Sequence, residues 1–367
     1  MSLYKDALPS GIESRHIDNG NGIEMHVLEA GEGKDVALLL HGFPEIAYSW
    51  RKIIPALAEA GYRVIAPDLR GYGLTRGWDA DYDCDLSLFR PINMVRDVLG
   101  LLAAFDIDHA ALIAGHDYGA NVAANCALIR PDVFRAVSLM SAPYVGPPSL
   151  KPGPTVDIVA DLAALERPRK HYHRYYAMRE ANGDMTNCPQ GVHDFMRGYY
   201  HFKSADWTDN KPYRLQSWSA PELAKMPTYY IMDLEQNMAE TAASEMPSAK
   251  EISECTWLFD DDLTVYSECY ARTTFQGGLN GYRCRFVDAF TREAEVFAGR
   301  TIEVPTCFIS GASDWGVYQV PDALDTMQKT VCTDFRSCHL IDGAGHWVQQ
   351  EQAEEVARLL LAFLAEV

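Results

Sequence analysis

The stretch HAALIAGHDYGANVAANCALI, residues 109–129, decides the fold of this chain. Its first half is an apolar run typical of a buried strand, and its second half reads as a helix. Between them lies GHDYG, residues 115–119, whose two glycines permit a sharp turn from strand to helix. Such a turn raises the central side chain above the sheet edge, so Asp117 is predicted to be a nucleophile. An Asp that only caps the following helix is the simpler alternative.

Strand-like and helical stretches alternate on both sides of this turn. The further predicted strands lie at 22–31, 35–42, 62–71, 133–143, 304–314 and 338–346. Apolar residues at helical spacing predict helices at 47–61, 92–106 and 354–367. Alternation of this kind predicts a mostly parallel sheet covered by helices on both faces.

Residues 146–288 have a different texture, rich in Tyr, His, Trp, Met and Pro, with helical stretches but few β-branched runs. We interpret them as a helical cap inserted into the sheet domain. The core is then formed by residues 1–145 and 289–367 together.

Composition limits the partners that this protein can have. A formal charge of −19 over 367 residues repels phosphate backbones and anionic lipid, which excludes nucleic acid as an expected partner.

No apolar run approaches the roughly 20 residues that span a bilayer, and no secretory pattern opens the chain, so we expect a cytoplasmic protein. The nine cysteines have no metal-type spacing, and no metal site is expected. A homodimer is compatible with the sequence.

The motif HGFPE, residues 41–45, follows the predicted strand VALLL. At that position the backbone N–H of Phe43, together with that of Tyr118, would point at negative charge developing on Asp117. The two N–H groups would form an oxyanion hole. A turn that simply ends the strand is an equally good interpretation of the motif taken alone.

Two further polar residues follow predicted strands in the order that a catalytic triad requires. Asp314 lies in SGASDWG after the strand TCFI, and His346 lies in DGAGHW after the strand HLI. His346 could then deprotonate a water while Asp314 fixes its tautomer. Three polar residues at the carboxyl ends of three strands are hard to obtain by chance.

The motifs HGFPE, PDLRGYG, GHDYG and DGAGHW together resemble the epoxide hydrolases of the α/β-hydrolase fold, which share an Asp nucleophile with haloalkane dehalogenases. The resemblance implies an α/β-hydrolase core with an inserted cap. It also implies hydrolysis of an epoxide to a vicinal diol through an ester on Asp117, without a cofactor. The many aromatic and Met residues of the cap favour a small apolar or aromatic epoxide, although cap packing explains the same composition. Pocket residues implied by the same motifs and the cap are His41, Pro44, His116, Tyr172, Trp315 and Trp347.

Epoxide hydrolases use two cap tyrosines to polarise the epoxide oxygen. The segment ARTTFQGGLNGYR is similar to the one that carries the second of these, which falls on Tyr282. For the first, TYYIMDLEQNMAET favours Tyr230, and HYHRYYAMRE leaves Tyr172 as the alternate. Tyrosines in an aromatic cap more often serve in packing.

Two departures from the family pattern stand out. Gly281 occupies a position where relatives often carry a bulky aromatic, which could widen the pocket. Residues 187–219 look like an additional block that makes the cap longer than usual and could change the shape of the substrate chamber.

Three alternative functions stay open on sequence alone. A dehalogenase would use the same Asp, with halide donors supplied by the cap tryptophans Trp207, Trp218 or Trp257. A lactone or ester hydrolase would ordinarily need Ser or Cys in place of Asp117. A non-catalytic ligand-binding protein would have no need for a water-activating His beside a carboxylate.

Overall fold

The computed structural model describes residues 7–151 and 156–367. Its strands are β1 (Glu13–Asp18), β2 (Glu24–Ala30), β3 (Val36–Leu40), β4 (Arg63–Pro67), β5 (Leu112–His116), β6 (Val137–Met140), β7 (Arg169–His171), β8 (Ile231–Asp233), β9 (Thr306–Gly311) and β10 (Phe335–Ile341). Eight of them form one sheet in the order β1-β2-β4-β3-β5-β6-β9-β10. Strands β1, β2 and β4 pair antiparallel and all other neighbours pair parallel.

The helices flank this sheet and fill the segment between β6 and β9. They are α1 (Ile54–Glu59), α2 (Pro91–Ala104), α3 (Tyr118–Ile129), α4 (Ile158–Ala163), α5 (Tyr172–Tyr176), α6 (Glu180–Thr186), α7 (Gly191–Lys203), α8 (Ala220–Leu223), α9 (Met238–Ala243), α10 (Ala249–Glu254), α11 (Asp260–Thr273), α12 (Gln276–Arg283), α13 (Asp288–Ala294), α14 (Ala323–Thr326), α15 (Val348–Glu351) and α16 (Ala353–Leu364). Short 3-10 turns lie at 47–50, 86–89, 284–286, 295–297 and 315–317, and residues 327–331 form a π turn.

The central strand β3 is apolar at every position because both faces of the sheet are covered. In β3, Leu38 and Leu40 join the core on one face, whereas Ala37 and Leu39 join the core on the other. Successive side chains of a strand point to opposite faces, so a continuous apolar run is what a doubly covered strand requires. The predicted mostly parallel sheet, covered by helices on both faces, is confirmed.

The elements that the sequence did not predict have no apolar pattern of their own. Strand β1 lies at the sheet edge and is polar and largely exposed, so its residues carry no strand periodicity. The two-stranded pair β7–β8 has three residues per strand and is held by its position among the inserted helices. The predicted helix at 47–61 is instead a 3-10 turn followed by the short helix α1.

The chain between β6 and β9 leaves the sheet and forms the helices α4 to α13 with the β7–β8 pair. Helix α7 packs against α9 and α11, and α12 packs against α5. This arrangement agrees with a mostly helical insertion. The predicted cap limits at residues 146 and 288 stay a prediction.

Helix α3 approaches β3 so closely that one position admits only glycine. A Cβ built on Gly119 would lie 2.4 Å from the carbonyl oxygen of Leu40 and 2.5 Å from that of His41. Both contacts are with backbone, which cannot swing aside as a flexible side chain could.

We therefore expect Gly119→Ala to lower the free energy of unfolding by about 2–3 kcal/mol, because the overpacked backbone must shift. Urea denaturation followed by circular dichroism measures the change. Gly183→Ala is the matched control, since it lies within α6 and a Cβ there meets nothing within 4 Å. It should leave stability unchanged or raise it by up to about 1 kcal/mol through helix propensity. Equal effects of the two substitutions would contradict the close approach.

Candidate active site

Asp117 lies on a strained turn between β5 and α3. Its backbone has φ +51° and ψ −115°, a conformation that costs a non-glycine residue about 1–3 kcal/mol. The turn is made possible by the glycines on either side, since a Cβ on Gly115 would lie 2.1 Å from the carbonyl oxygen of Gly119. The carboxylate thus stands at the carboxyl edge of the sheet, where open α/β folds bind ligands.

One backbone N–H group donates to this carboxylate, and the second predicted donor belongs to the next residue of the chain. The N–H of Phe43, in the loop after β3, donates to Asp117 Oδ1 at 3.0 Å. Tyr118 is the first residue of α3, so its N–H belongs to the helix start, where no intrahelical acceptor exists. Gly42 permits the approach of the two loops, because a Cβ there would lie 2.5 Å from Asp117 Cβ.

The two other predicted triad residues lie on the opposite side of Asp117. His346 Nε2 is 3.4 Å from Asp117 Oδ2, and it forms no hydrogen bond within the described part of the chain. His346 Nδ1 lies 3.1 and 3.2 Å from the two carboxyl oxygens of Asp314. Asp314 in turn accepts the N–H of Gly316 at 2.7 Å and the hydroxyl of Ser310 at 3.1 Å. The structure therefore brings the three side chains into one line of contacts.

Both carboxyl groups in this line are held in their charged form. Burial disfavours the charge on Asp117, but the adjacent His346 and the ammonium of Lys203 outweigh burial, and the pKa of Asp117 lies far below its usual value. Burial is likewise outweighed at Asp314 by His346 and by the N–H of Gly316, which lower the pKa of that carboxyl. Asp117 is thus a carboxylate near neutral pH.

The loop that carries His346 is fixed by Glu351 at the end of α15. The Glu351 carboxylate accepts the N–H groups of Gly345 and Trp347, each at 2.9 Å, and that of Ala205 at 2.8 Å. The N–H of His346 donates to the carbonyl of Lys203, the last residue of α7, at 2.8 Å. Residues on either side of the imidazole are therefore tied to one carboxylate and to the inserted segment.

A second buried network lies behind the triad and includes two residues predicted to line the pocket. His116 Nδ1 is 2.5 Å from Glu45 Oε2, and its Nε2 is 2.7 Å from the carbonyl oxygen of His346. Burial disfavours a charge on His116, but Glu45 outweighs it and raises the pKa of His116. His41 is buried and accepts the N–H of Leu69 at 3.1 Å. His116 and His41 hold the loops together and do not line the cavity.

A cavity of about 180 Å³ opens in front of Asp117. Its wall includes Tyr118, Tyr172 and Tyr282 from the predicted set, and the remaining lining residues come from α3, α14, loops and the insertion. These are Asn121, Ala142, Pro143, Tyr144, Val145, Gly146, His173, Arg285, Gly316, Gln319, Val320 and Ala323.

The preference for Tyr230 over Tyr172 is not supported by this geometry. Tyr172 begins α5 and faces the cavity together with Tyr282, and the two rings lie 6.1 Å apart. Tyr230 stands outside the cavity wall, 5.1 Å from the Tyr172 ring, and its hydroxyl is buried without a hydrogen-bond partner among the described residues. Both candidates come from segments that the sequence marked, but only the tertiary packing distinguishes them.

The two phenols that face the cavity are held neutral. Burial raises the pKa of Tyr172 and of Tyr282 well above the ordinary value, and the charge of Asp117 adds to this effect. A phenol that keeps its proton can donate a hydrogen bond into the cavity. Among the described residues, the Tyr172 hydroxyl makes only one long hydrogen bond, of 3.3 Å to Gln319 Oε1.

Three other predicted pocket residues support the site from behind instead of lining it. The carbonyl of Pro44 accepts the hydroxyl of Tyr200 at 3.1 Å. Trp347 stacks on the Tyr200 ring at 4.2 Å and donates its indole N–H to that residue's carbonyl. Trp315 is buried against Tyr213, with ring centroids 5.0 Å apart. Large aromatic side chains next to a motif pack more often than they bind.

The cap tryptophans that a dehalogenase would need lie away from the cavity. The indole N–H of Trp207 donates to Glu245, and that of Trp257 donates to Asp206 at 2.8 Å. Trp218 is partly exposed and packs near His171. None of the three lines the cavity, so they offer no halide cradle beside Asp117.

Several cavity residues were not found from the sequence. Gln319 and Arg285 lie on a loop after β9 and on the insertion, where no motif marks them, and His173 lies in the segment HYHRYYAMRE, which indicated only Tyr172. Of these missed cavity residues, Asn121 is the one that the sequence could have indicated. It lies one helical turn after Asp117 on α3, so it faces the same side of the helix as Asp117.

Comparison with known proteins agrees with this geometry. Residues 36–353 match the family model described as alpha/beta hydrolase fold. The chain is 34% identical to epoxide hydrolase A of Mycobacterium tuberculosis over 96% of this chain and 98% of that protein. It is 32% identical to an epoxide hydrolase of Caballeronia sordidicola over 95% and 92% of the two chains.

Solved structures give the same result. An epoxide hydrolase from an endophytic Streptomyces superposes with a TM-score of 0.78 at 31% identity, over 97% of this chain and 96% of the other. Potato (Solanum tuberosum) epoxide hydrolase I superposes with a TM-score of 0.75 at 28% identity, over 97% and 100%. The chain therefore belongs to the α/β-hydrolase fold family, in its epoxide hydrolase group.

The expectation that residues 187–219 form an additional block stays a prediction. In the structure this stretch contains α7, whose end accepts the N–H of His346. The block is part of the framework of the site.

Two kinds of feature, a membrane-spanning helix and a metal-binding cluster, are absent from the described residues 7–151 and 156–367. No helix there combines the length and the apolar character needed to cross a bilayer. No group of three or more His, Cys, Asp or Glu side chains there is arranged to hold a metal ion.

We expect Glu351→Gln to lower the free energy of unfolding by about 1–2 kcal/mol and to lower kcat, because an amide NH₂ would face one of the three N–H donors. Urea denaturation and steady-state rates measure the two effects. Glu355→Gln is the control on the neighbouring helix, since Glu355 pairs only with Arg358 at the surface, and it should leave both quantities unchanged. An unaffected Glu351→Gln protein would show that the loop does not depend on this carboxylate.

Proposed function

We propose that this protein is an epoxide hydrolase that converts an epoxide and water into a vicinal diol through an ester on Asp117. One observation carries the proposal: a charged carboxylate and two neutral phenols, those of Tyr172 and Tyr282, face each other across one cavity. A carboxylate supplies the nucleophile, and phenols supply hydrogen bonds for an oxygen that gains negative charge.

In the first step, one oxygen of Asp117 attacks a carbon of the epoxide ring. A new carbon–oxygen ester bond forms as the ring carbon–oxygen bond breaks. The released oxygen accepts hydrogen bonds from the phenols of Tyr172 and Tyr282 and takes a proton from one of them. The high pKa of both phenols keeps that proton available near neutral pH.

In the second step, the ester on Asp117 is cleaved by water. His346 Nε2 takes a proton from the water as the water oxygen attacks the Asp117 carboxyl carbon, and Asp314 stabilises the resulting imidazolium. The N–H groups of Phe43 and Tyr118 hold the oxyanion of the tetrahedral intermediate. Collapse breaks the ester bond, and the imidazolium of His346 gives its proton to the leaving alkoxide, which completes the diol. The proton left on the Asp117 carboxyl returns to the phenolate formed in the first step, so that the carboxylate, the imidazole and both phenols are restored.

The insertion would act as a cap in this scheme. It contributes Tyr172 and Tyr282 from one side, whereas the sheet contributes Asp117 from the other. An epoxide held between them would be shielded from bulk water, so that the ester forms before hydrolysis begins. The scheme uses side chains and water and needs no metal or organic cofactor.

A single turnover of styrene oxide in ¹⁸O-water tests the ester route. We expect mass spectrometry to find one ¹⁸O in the peptide that contains Asp117, because the hydrolytic water enters at its carboxyl carbon, and to find no label in the diol of that turnover. Asp117→Asn is the control and should form no diol.

Label in the diol with none in Asp117 would show direct attack of water on the epoxide and would contradict the ester. Halide release from a panel of haloalkanes, with no diol from any epoxide, would move the assignment to dehalogenation.

A matched pair of tyrosine variants tests which phenol assists ring opening. We expect Tyr172→Phe to slow ester formation about tenfold to hundredfold, because one of two donors to the developing alkoxide is lost. Tyr230→Phe removes a hydroxyl that has no partner among the described residues and should change the rate less than about twofold. Stopped-flow tryptophan fluorescence follows the step. A larger loss of rate in Tyr230→Phe than in Tyr172→Phe would instead show that Tyr230 donates to the epoxide oxygen.

A further inference from the structure

A second cavity of about 230 Å³ adjoins the first. The two share the lining residues Tyr118, Asn121, Tyr144, Gly146 and Arg285. The rest of the second wall is largely apolar and includes Pro91, Pro147, Pro148, Phe290, Ala294 and Phe297. The pocket in front of Asp117 therefore continues into an apolar arm, and the shared residues mark the junction.

The glycine at position 281 helps to shape this junction. A Cβ there would lie 2.7 Å from the hydroxyl oxygen of Tyr118, so any larger residue would force that ring to move. Gly281 also lines the second cavity directly. The absence of a side chain at this position thus lets Tyr118 occupy the wall between the two cavities.

Arg285 is the lone Lys or Arg among the described residues that line either cavity. It follows α12 and lies near Tyr282, with its guanidinium carbon 6.0 Å from the ring centroid. No carboxylate of the described chain lies within ion-pair distance of it, although most arginines of this acidic protein are paired. The guanidinium is free to bind an anion in the cavity.

Asn121 presents a second donor at the same junction. Its backbone carbonyl and side-chain oxygen accept the amide of Asn125, at 2.8 and 3.3 Å. Its own side-chain NH₂ makes no hydrogen bond with the described residues, although the residue lines both cavities. A guanidinium and an amide NH₂ together match the two oxygens of a carboxylate.

The charges around the cavities indicate which anion fits. Asp117 is the one carboxylate in the two linings, and it would repel an anionic substrate. One guanidinium offsets one charge, which favours a monoanion over a phosphate dianion. Arg285 and Asp117 line the same cavity of about 180 Å³, so an anion bound by Arg285 lies within a short distance of the epoxide ring.

We propose that Arg285 and Asn121 bind a carboxylate on the substrate, so that the preferred epoxides are small epoxy acids whose apolar part lies in the second cavity. This assignment rests on the proposed function and names the substrate class for it. Arg285 and Asn121 are specificity residues in this scheme, and they take no part in breaking the ring.

The test compares two rigid probes that differ by one charge, 4-(oxiran-2-yl)benzoate and 4-(oxiran-2-yl)benzamide. The quantity of interest is the ratio of kcat/KM for the acid to kcat/KM for the amide. A substitution that impairs catalysis in general lowers kcat/KM for both probes equally and therefore leaves their ratio unchanged. We expect a ratio of about ten or more for the unmodified protein, because an exposed charge-assisted hydrogen bond contributes on this scale.

Arg285→Gln should lower the ratio at least tenfold, and Arg285→Lys should restore part of it, because the charge returns without the planar fork. Asn121→Asp should lower the ratio as well, since it places a second negative charge at the junction. Arg174→Gln is the matched control: Arg174 is an exposed arginine near Phe286 that lines neither cavity, and its ratio should equal that of the unmodified protein.

Three other outcomes would overturn the carboxylate site, and the last of them would also overturn the proposed epoxide hydrolysis. Diol formation from the amide with the same ratio in the unmodified protein and in Arg285→Gln would overturn the carboxylate site and leave epoxide hydrolysis standing. An equal fall of the ratio in Arg174→Gln would show a general electrostatic effect and would also overturn the site. No diol from either probe or from styrene oxide would overturn the proposed function and this inference with it.

Discussion

The close approach of three backbones around Asp117 is the constraint on which the rest of the site depends. Glycines at 42 and 115 leave no side chain between the end of β3, the end of β5 and the start of α3. This contact holds Asp117 in a strained conformation and brings its carboxylate to the N–H of Phe43. A carboxylate placed in this way is charged, partly desolvated and aimed out of the sheet, which are the requirements for a nucleophile.

Buried polar contacts also hold the loop that carries the imidazole of His346. Glu45 and His116 connect the loop after β3 to the carbonyl of His346, and Glu351 fixes the residues on either side of it. Glu45 is satisfied by several donors, which makes its buried charge tolerable, whereas burial raises the pKa of Glu351 to about 8. Loops from three strands and the end of α7 therefore form one unit, and the insertion is coupled to the triad through Lys203.

The insertion contributes different chemical groups from those of the sheet edge to the same cavity. The sheet edge provides negative charge and backbone donors, whereas the insertion provides neutral phenols and the cation Arg285, which forms no ion pair with the described residues. Reaction type and substrate choice are thus carried by different parts of the chain. This separation allows the cavity to vary while the residues around Asp117 stay fixed by packing.

The sequence by itself determined the sheet, the turn at Asp117 and the order of Asp117, Asp314 and His346, because these depend on local patterns such as apolar runs and glycine spacing. Only the tertiary structure decided that Tyr172 faces the cavity while Tyr230 packs behind it, and that His116 supports the site without lining it. Arg285 carries no local signal at all. Which side of a helix meets a cavity depends on contacts between segments far apart in the chain, and those contacts leave no periodic trace in the sequence.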